Sequence, residues 1–180
     1  MRTNDPTAAD IEGAAAGEVD AFARIVRQMQ GRVWRYIVLI VRDHALAEDL
    51  TQEVFIRVHH RIDTLRDHER FVPWLFTIAR NAAYDAGRSR SRRPLTLVGD
   101  RDLPETGRVE DPHINTEVHD ALDRLDEDLR DALVLVTVIG LTYEEASGLL
   151  SVPEGTVKSR VFRARKQMME LLELGGPSYG

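Results

Sequence analysis

The chain has 180 residues, of which 43% are hydrophobic, and a formal net charge of -6 at pH 7, which suits one medium domain or two small ones with hydrophobic cores. It contains no cysteine, which excludes disulfide bonds and thiolate metal sites. It also lacks a run of about 18 apolar residues and the apolar core of a signal peptide, so we expect a cytoplasmic protein with no membrane insertion.

The N-terminal half predicts a helical domain after a short disordered extension. Residues 1–17 are rich in alanine, glycine and aspartate, and we expect them to be disordered. From residue 18 to about residue 87, apolar residues recur at helical spacing, which predicts four helices. Gly31 is expected to break or bend the chain between the first two helices, and Pro73 is tolerated in the first turn of the fourth.

A linker is predicted where the helical periodicity ends, from residue 86 to about residue 115. Glycines and prolines interrupt this stretch, and an irregular segment of that length is uncommon inside a compact domain. We therefore predict an all-α fold of two small helical domains joined by a flexible linker, the second a four-helix domain with a helix-turn-helix. The expected boundaries are 1–17 for the extension, 18–93 for the first domain, 94–115 for the linker, 116–174 for the second domain and 175–180 for the tail.

The strongest local pattern is the helix-turn-helix of the second domain. Thr142 and Glu145 have the spacing of a capping box at the start of a short helix. Pro153 is placed to open a longer helix after a tight connection. The apolar face of that longer helix consists of Val157, Val161, Ala164 and Met168. Its outer face carries Ser159, Phe162, Arg163 and Lys166, with Lys158 and Arg165 beside them.

This outer face has the chemistry of a helix that enters the DNA major groove. Arginine and lysine can read guanine edges, serine can contact a base or a phosphate, and an exposed ring can pack on a thymine methyl group. A helical hairpin with a solvated basic face is the alternative, but Phe162 within the basic face favours DNA binding. Two basic segments, Arg80–Arg93 and Glu154–Lys166, each of net charge +4, also flank the acidic segment Asp100–Asp131, of net charge -8.

Four segments, two in each domain, together point to one family. They are LTYEEAS (141–147) and PEGTVKSRVFRAR (153–165) in the second domain, and AEDLTQEVF (47–55) and PWLFTIARN (73–81) in the first. The first pair resembles region 4, and the second pair region 2, of the extracytoplasmic function (ECF) sigma factors in the sigma-70 family. Neither a region 1.1 nor a region 3 is found, which is the reduced plan of the ECF group.

The resemblance implies an activity and a set of partners. An ECF sigma factor binds core RNA polymerase and directs promoter-specific initiation by recognising duplex DNA at the minus 35 element and melted DNA at the minus 10 element. The implied partners are core RNA polymerase, through its β′ clamp helices and β flap, promoter DNA and an anti-sigma factor. The free protein is expected to be a monomer, with no catalytic residue, metal or cofactor.

The resemblance also implies three groups of site residues. Core polymerase binding falls on the outer face of the third helix, at Asp49, Gln52, Glu53 and Ile56. Minus 10 binding falls on the fourth helix and the loop before it (about residues 64–70), with the helical residues Arg80, Asn81, Tyr84 and Arg88. Minus 35 recognition falls on Lys158, Ser159, Phe162 and Arg163, with Arg160, Arg165 and Tyr143 as phosphate contacts.

Two other functions remain as alternatives. Residues 142–166 also resemble the output domain of two-component response regulators, which would make the protein a dimer that binds a palindromic duplex by itself. Residues 18–87, however, lack the alternating strands and helices of a receiver domain. An enzyme has little support, because the six histidines form no HxxxH pair and no glycine-rich phosphate loop is present.

Overall fold

A computed structural model describes residues 5–92 and 116–175, and every regular element in these two stretches is helical. The chain divides into two compact units, Met1–Gly107 and Arg108–Gly180, which confirms the predicted all-α fold. Residues 94–115 of the predicted linker and the tail beyond Gly175 lie outside the described residues, whereas residues 86–92, where helical periodicity was predicted to end, belong to a helix. The first unit contains α1 (Ala8–Ala15), α2 (Val19–Val41), α3 (His44–His59), 3-10 turns at Ile62–Thr64 and His68–Arg70, and α4 (Phe71–Arg92). The second contains α5 (Thr116–Asp123), α6 (Glu127–Leu133), a π-helical turn (Val134–Val138), α7 (Tyr143–Leu150) and α8 (Glu154–Gly175).

The core of the first unit is formed by α2, α3 and α4, each of which packs against the other two. At its centre Tyr36 and Phe76 are fully buried and meet edge to face, with ring centroids 5.7 Å apart. Aromatic pairs favour this geometry over a face-to-face stack. Helix α2 ends at Arg42, whose backbone is left-handed, and the Asp43 carboxylate caps α3 by accepting from the Leu46 N–H at 3.0 Å.

Gly31 does not break α2, which runs without interruption from Val19 to Val41. A glycine inside a helix costs about 1 kcal/mol relative to alanine. Met29 and Val33, on either side of it, are fully buried, and burial of one such side chain contributes about 1.5–3 kcal/mol. Packing of the apolar face therefore outweighs the cost of the glycine, which is exposed with open space around it.

Residues 8–15 form a helix, although the composition of the first 17 residues predicted disorder. Helix α1 begins with a capping box, in which the Thr7 hydroxyl accepts from the Asp10 N–H at 3.1 Å and the Asp10 carboxylate accepts from the Thr7 N–H at 3.4 Å. Ile11 and Ala14 are buried, and α1 packs against α2 and both 3-10 turns. An isolated helix of this length is marginal in water. Tertiary packing therefore orders this segment, although its composition alone predicted disorder.

The second unit is arranged around α8, which packs against α5, α6 and α7. Its core combines small and branched side chains, because Ala132, Ala146 and Ala164 are fully buried together with Leu135 and Val157. After α6 the chain makes one π-helical turn, in which the Ile139 N–H donates to the Val134 carbonyl at 3.0 Å. Gly140, with φ of 79°, ends this segment in a conformation that glycine adopts without strain.

Candidate nucleic-acid interfaces

The helix-turn-helix of the second unit is formed by α7 and α8. As predicted, Thr142 and Glu145 form a capping box: the Glu145 N–H donates to the Thr142 hydroxyl at 3.1 Å, and the Thr142 N–H donates to the Glu145 carboxylate at 2.6 Å. The turn contains Ser151 in a left-handed conformation, and the Ser147 hydroxyl donates to the Val152 carbonyl across it at 2.7 Å. This turn presents the N-terminal part of α8, which meets base edges in motifs of this kind.

The outer face of α8 is separated from its buried face as the sequence predicted, except that Met168, which was assigned to the apolar face, is only half-buried. The buried residues, each 2% exposed or less, are Val157, Val161 and Ala164. The exposed residues on the opposite side are Lys158, Ser159, Phe162 and Arg163. The Phe162 ring is 72% exposed, so it contributes little to the core and is available to stack against a base or a thymine methyl group.

The cationic side chains of this face differ in the ion pairs and ring contacts that they form with other side chains. The Lys158 Nζ lies 2.6 Å from the Glu154 carboxylate and 5.6 Å from the centroid of the Tyr143 ring. The hydrogen bond to Glu154 raises the pKa of Lys158 above its ordinary value, so the lysine is charged at neutral pH. Arg163 and Arg165 are exposed and form no ion pair with any other residue that the structure describes, which leaves both guanidinium groups available to DNA.

Arg160 does not lie on the outer face. Its guanidinium Nη2 is 2.5 Å from the Asp128 carboxylate of α6, and its side chain is 15% exposed. Two residues along a helix are separated by about 200°, which places Arg160 beside the apolar face and away from Lys158. Arg160, which was expected to contact a phosphate, joins α8 to α6 in this structure, and its contact with DNA stays a prediction.

A second candidate surface runs along α4. Arg80, Asn81, Tyr84 and Arg88 fall within about 100° around the helix and therefore share one face. The Arg80 guanidinium carbon lies 4.8 Å from the centroid of the half-buried Tyr84 ring. Asn81 and Arg88 are exposed, and Arg88 forms an ion pair with Asp85 at 3.2 Å. The face thus combines an aromatic ring, two guanidinium groups and an amide.

The loop before α4 is shaped by local hydrogen bonds. The Thr64 hydroxyl donates to the Arg61 carbonyl at 2.6 Å, and the Asp67 carboxylate accepts from the Glu69 N–H at 3.1 Å. Most side chains of this loop are exposed, whereas Ile62 is 2% exposed and anchors it to the unit. The loop therefore presents polar groups at the N-terminal end of α4, whereas the face described above lies mostly in the C-terminal half of the helix.

A third surface lies on α3, where the four residues predicted to bind polymerase are all exposed: Asp49, Gln52, Glu53 and Ile56. Ile56 is 59% exposed among acidic and amide side chains. Glu53 forms an ion pair with Arg57 at 2.5 Å, one turn further along the helix. A single apolar side chain within a polar, acidic surface suits a contact with another protein.

An apolar groove of about 510 Å³ beside this surface was not predicted from the sequence. It lies between α2 and α3, and Gln52 and Ile56 belong to its lining. Its α2 side is formed by Phe22 and Val26, which helical periodicity assigned to the core but which are half-buried. The Phe22 ring meets His59 edge to face at 4.9 Å. The exposed Ile56 on a polar face was the one sequence signal for this groove.

The described part of the chain shows no metal site and no membrane helix. None of its groups of histidine, aspartate or glutamate side chains could hold a metal ion. His59 and His60 lie side by side, with ring centroids 5.7 Å apart. None of the described helices is long and apolar enough to cross a membrane. The absence of cofactors and of catalysis stays a prediction.

Known proteins resemble both units. The families described as Sigma-70 region 2 and Sigma-70, region 4 match residues 25–93 and 115–168. RNA polymerase sigma-H factor of Pseudomonas aeruginosa is 33% identical over 188 residues, covering 96% of this chain and 97% of that protein. ECF RNA polymerase sigma factor SigM of Bacillus subtilis is 33% identical over 157 residues, covering 84% and 94%. Among solved structures, sigma factor RpoE in complex with the anti-sigma factor NepR from Bartonella quintana has a TM-score of 0.71 at 27% identity, covering 88% of this chain and all of that chain.

Proposed function

Because the chain belongs to the sigma-70 family, in its extracytoplasmic function group, and directs promoter-specific transcription initiation by RNA polymerase, we propose a role for each of its three surfaces. The outer face of α8 reads the minus 35 duplex. The α4 face, with the loop before it, captures the melted minus 10 strand. The outer face of α3 binds core polymerase. Neither DNA contact has to be strong by itself, because the linker between the two units raises the effective concentration of the second contact once the first has formed.

At the minus 35 element we assign base contacts to Lys158, Ser159, Phe162 and Arg163. The observation that carries this assignment is the exposed Phe162 ring beside the Arg163 guanidinium, which forms no ion pair with another residue of the described stretches. A guanidinium that binds a guanine edge through two hydrogen bonds contributes about 1–3 kcal/mol of discrimination. Arg165 and Tyr143 are placed to contact phosphates, which position a helix without reading sequence. Arg160 supports this surface indirectly, because its ion pair with Asp128 joins α8 to α6.

At the minus 10 element we assign the strand contacts to Arg80, Asn81, Tyr84 and Arg88. Single strands bind to stacking surfaces lined with positive charge, and the stacked Arg80 and Tyr84 side chains provide both. The Asn81 amide can donate to and accept from a base edge. A base flipped out of the stack is held by the polar loop of residues 64–70.

For core polymerase we assign the contact to Asp49, Gln52, Glu53 and Ile56, docked on the β′ clamp helices, with the second unit on the β flap. Acidic groups around one apolar side chain suit a basic, partly apolar partner surface. The free protein is a cytoplasmic monomer, and its net charge of -6 makes it a weak binder of naked DNA. The similarity to RpoE, solved with the anti-sigma factor NepR, supports an anti-sigma partner for this chain.

Run-off transcription with purified core polymerase and a promoter library tests the DNA assignments. We expect promoter-specific transcripts that require both core polymerase and this protein. Arg163→Ala and Asn81→Ala should each lower them about tenfold or more, as expected for the loss of a base contact. Arg27→Ala, which removes an exposed arginine of α2 outside the three surfaces, is the matched control. Tight binding to a palindromic duplex without core polymerase would favour the dimeric regulator instead.

A pull-down with core polymerase tests the α3 assignment separately. Ile56→Asp places a charge in the centre of the proposed contact and should abolish core binding at micromolar concentrations. Val19→Asp changes another exposed aliphatic residue of the same unit, 79% exposed on α2, and should bind as the unchanged protein does. Equal core binding by both variants contradicts the assignment.

A further inference from the structure

We propose that α1 is a positioning element for the minus 10 loop, the segment 62–70 that joins α3 to α4, and that Ile11 and Glu12 hold this loop in the shape that captures a base. The inference rests on the proposed function of that loop. Helix α1 lies on the same unit as the loop but outside the three surfaces described above, so its effect on DNA is indirect.

Helix α1 is fastened firmly to α2. The Asp10 carboxylate accepts from the Arg24 Nε at 2.6 Å, and the Asp5 carboxylate lies 2.5 Å from the Arg32 guanidinium. The two helices also approach closely at Gly13, where an added Cβ would lie 3.0 Å from the Ala21 Cβ. Helix α1 is therefore held by ion pairs before and within its first turn and is packed tightly against α2 at Gly13, which makes it a fixed support.

The opposite side of α1 supports the minus 10 loop. Helix α1 packs against both 3-10 turns of that segment. Its Glu12 carboxylate lies 3.4 Å from the His68 Nδ1 in the second turn. Ile11, the larger of its two buried apolar side chains, is 2% exposed. Contact with α1 therefore joins the loop to the body of the unit at both of its turns.

The loop itself has few other attachments. Among residues 62–70, all of which the structure describes, only Ile62 is buried, and the side-chain hydrogen bonds of Thr64 and Asp67 are local, to Arg61 and Glu69. A site that binds a flipped base must be held near its productive geometry by the residues around it. The structure assigns that supporting role to α1.

The test compares three affinities of the 180-residue chain: for a minus 10 single strand, for the minus 35 duplex and for core polymerase. Holoenzyme affinity is measured for a fluorescent single strand that carries the minus 10 sequence selected by the unchanged protein, and for strands with each base replaced in turn. Binding to the minus 35 duplex and to core polymerase is measured in parallel. The variants are Ile11→Ala, with Ile11→Val as the conservative rescue, and Glu12→Gln, with Asp20→Asn as the matched loss of an exposed carboxylate.

We expect Ile11→Ala to weaken the selected strand about tenfold and Glu12→Gln about twofold, in the range of mutations that act on a site through its neighbours. The preference for the selected base should fall in both, while minus 35 and core binding change less than about twofold. Ile11→Val should restore most of the affinity, and amide exchange at Glu69 and Arg70 should be faster in Ile11→Ala. Parallel losses of all three affinities would indicate general destabilisation and overturn the inference.

Arg66→Ala separates this inference from the proposed function. Arg66 is an exposed side chain of the loop itself. If Arg66→Ala weakens strand capture but Ile11→Ala and Glu12→Gln do not, the positioning role of α1 is wrong and the minus 10 assignment of the loop stands. If none of the three variants changes strand capture, the loop does not hold the minus 10 strand, and both proposals fail.

Discussion

The two helices that we propose to face DNA in this sigma factor, α4 and α8, present their side chains in different ways. On α4, Tyr84 is half-buried and the Arg80 guanidinium lies over its ring, so the proposed strand-binding groups belong partly to the core of the first unit. On α8, Phe162 is 72% exposed and Arg163 forms no ion pair with another described residue. One surface is packed into its unit before DNA arrives, whereas the other extends into solvent.

This difference follows from the two forms of DNA that the surfaces are proposed to bind. A side chain that reads a duplex has to reach into the major groove, so it projects from its helix. A melted strand brings its bases to the protein, so a fixed stacking surface is sufficient. Variants on α4 should therefore change both stability and binding, whereas variants on the outer face of α8 should change binding alone.

The largest expected effect tests this contrast directly. Tyr84→Ala should lower the free energy of unfolding of the first unit by about 2 kcal/mol, because a half-buried ring and its contact with Arg80 are lost. Phe162→Ala should change stability by less than about 0.5 kcal/mol. Both tryptophans, Trp34 and Trp74, lie in the first unit, so urea unfolding followed by tryptophan fluorescence measures that unit. If Tyr84→Ala were as stable as the unchanged protein, the proposed difference between the α4 and α8 surfaces would be wrong.

The next effect compares the two capping boxes. Thr142→Ala should destabilise the helix-turn-helix by about 1 kcal/mol, since the Thr142 hydroxyl accepts from a backbone N–H at the start of α7. Far-UV circular dichroism during urea unfolding measures the loss, and minus 35 binding should weaken with it. Thr7→Ala makes the same change at α1 and should lower the stability of the first unit without changing minus 35 binding. Thr142→Ser should restore both properties.

A smaller effect tests whether an ion pair of α8 supports the DNA-binding surface or competes with DNA for a cationic side chain. Asp128→Asn should weaken minus 35 binding about two- to fivefold if Arg160 holds α8 against α6, given the modest strength of partly exposed pairs. Glu154→Gln should have the opposite sign, because it releases Lys158 on the outer face. Fluorescence anisotropy with a minus 35 duplex measures both. If Asp128→Asn instead bound the minus 35 duplex more tightly, Arg160 would be assigned as a phosphate contact.

The smallest effect concerns pH and belongs to the first unit alone. The hydrogen bond from Arg24 lowers the pKa of Asp10 below its ordinary value of 3.8. Because the folded pKa lies below the unfolded one, the pair stabilises α1 above pH 3.8 and this stabilisation is lost as pH falls through the folded pKa. The stability difference between the unchanged protein and Asp10→Asn should therefore be present at pH 6 and shrink in more acidic solution. Urea unfolding across that range measures it, and a constant difference contradicts the role of the carboxylate.

Much of the fold and of the sites could be predicted because local patterns determine them. The capping box of Thr142 and Glu145 and the buried and exposed faces of α8 were read from spacing along the chain and are confirmed. Residues three or four positions apart share one side of a helix whatever the rest of the chain does. That rule is sufficient to place Arg80 and Tyr84 together, and the same rule places Ser159 on one side with Phe162 and Arg163.

The tertiary structure decided what depends on residues far apart in the sequence. Asp10 and Arg24 are 14 positions apart, and Arg160 and Asp128 are 32 positions apart. Neither pairing has a signature in spacing, and the composition of residues 1–17 predicted disorder where α1 forms. Such contacts depend on how whole helices pack, and packing can order a short segment, or redirect an arginine from solvent to a neighbouring helix, without any change in the local pattern.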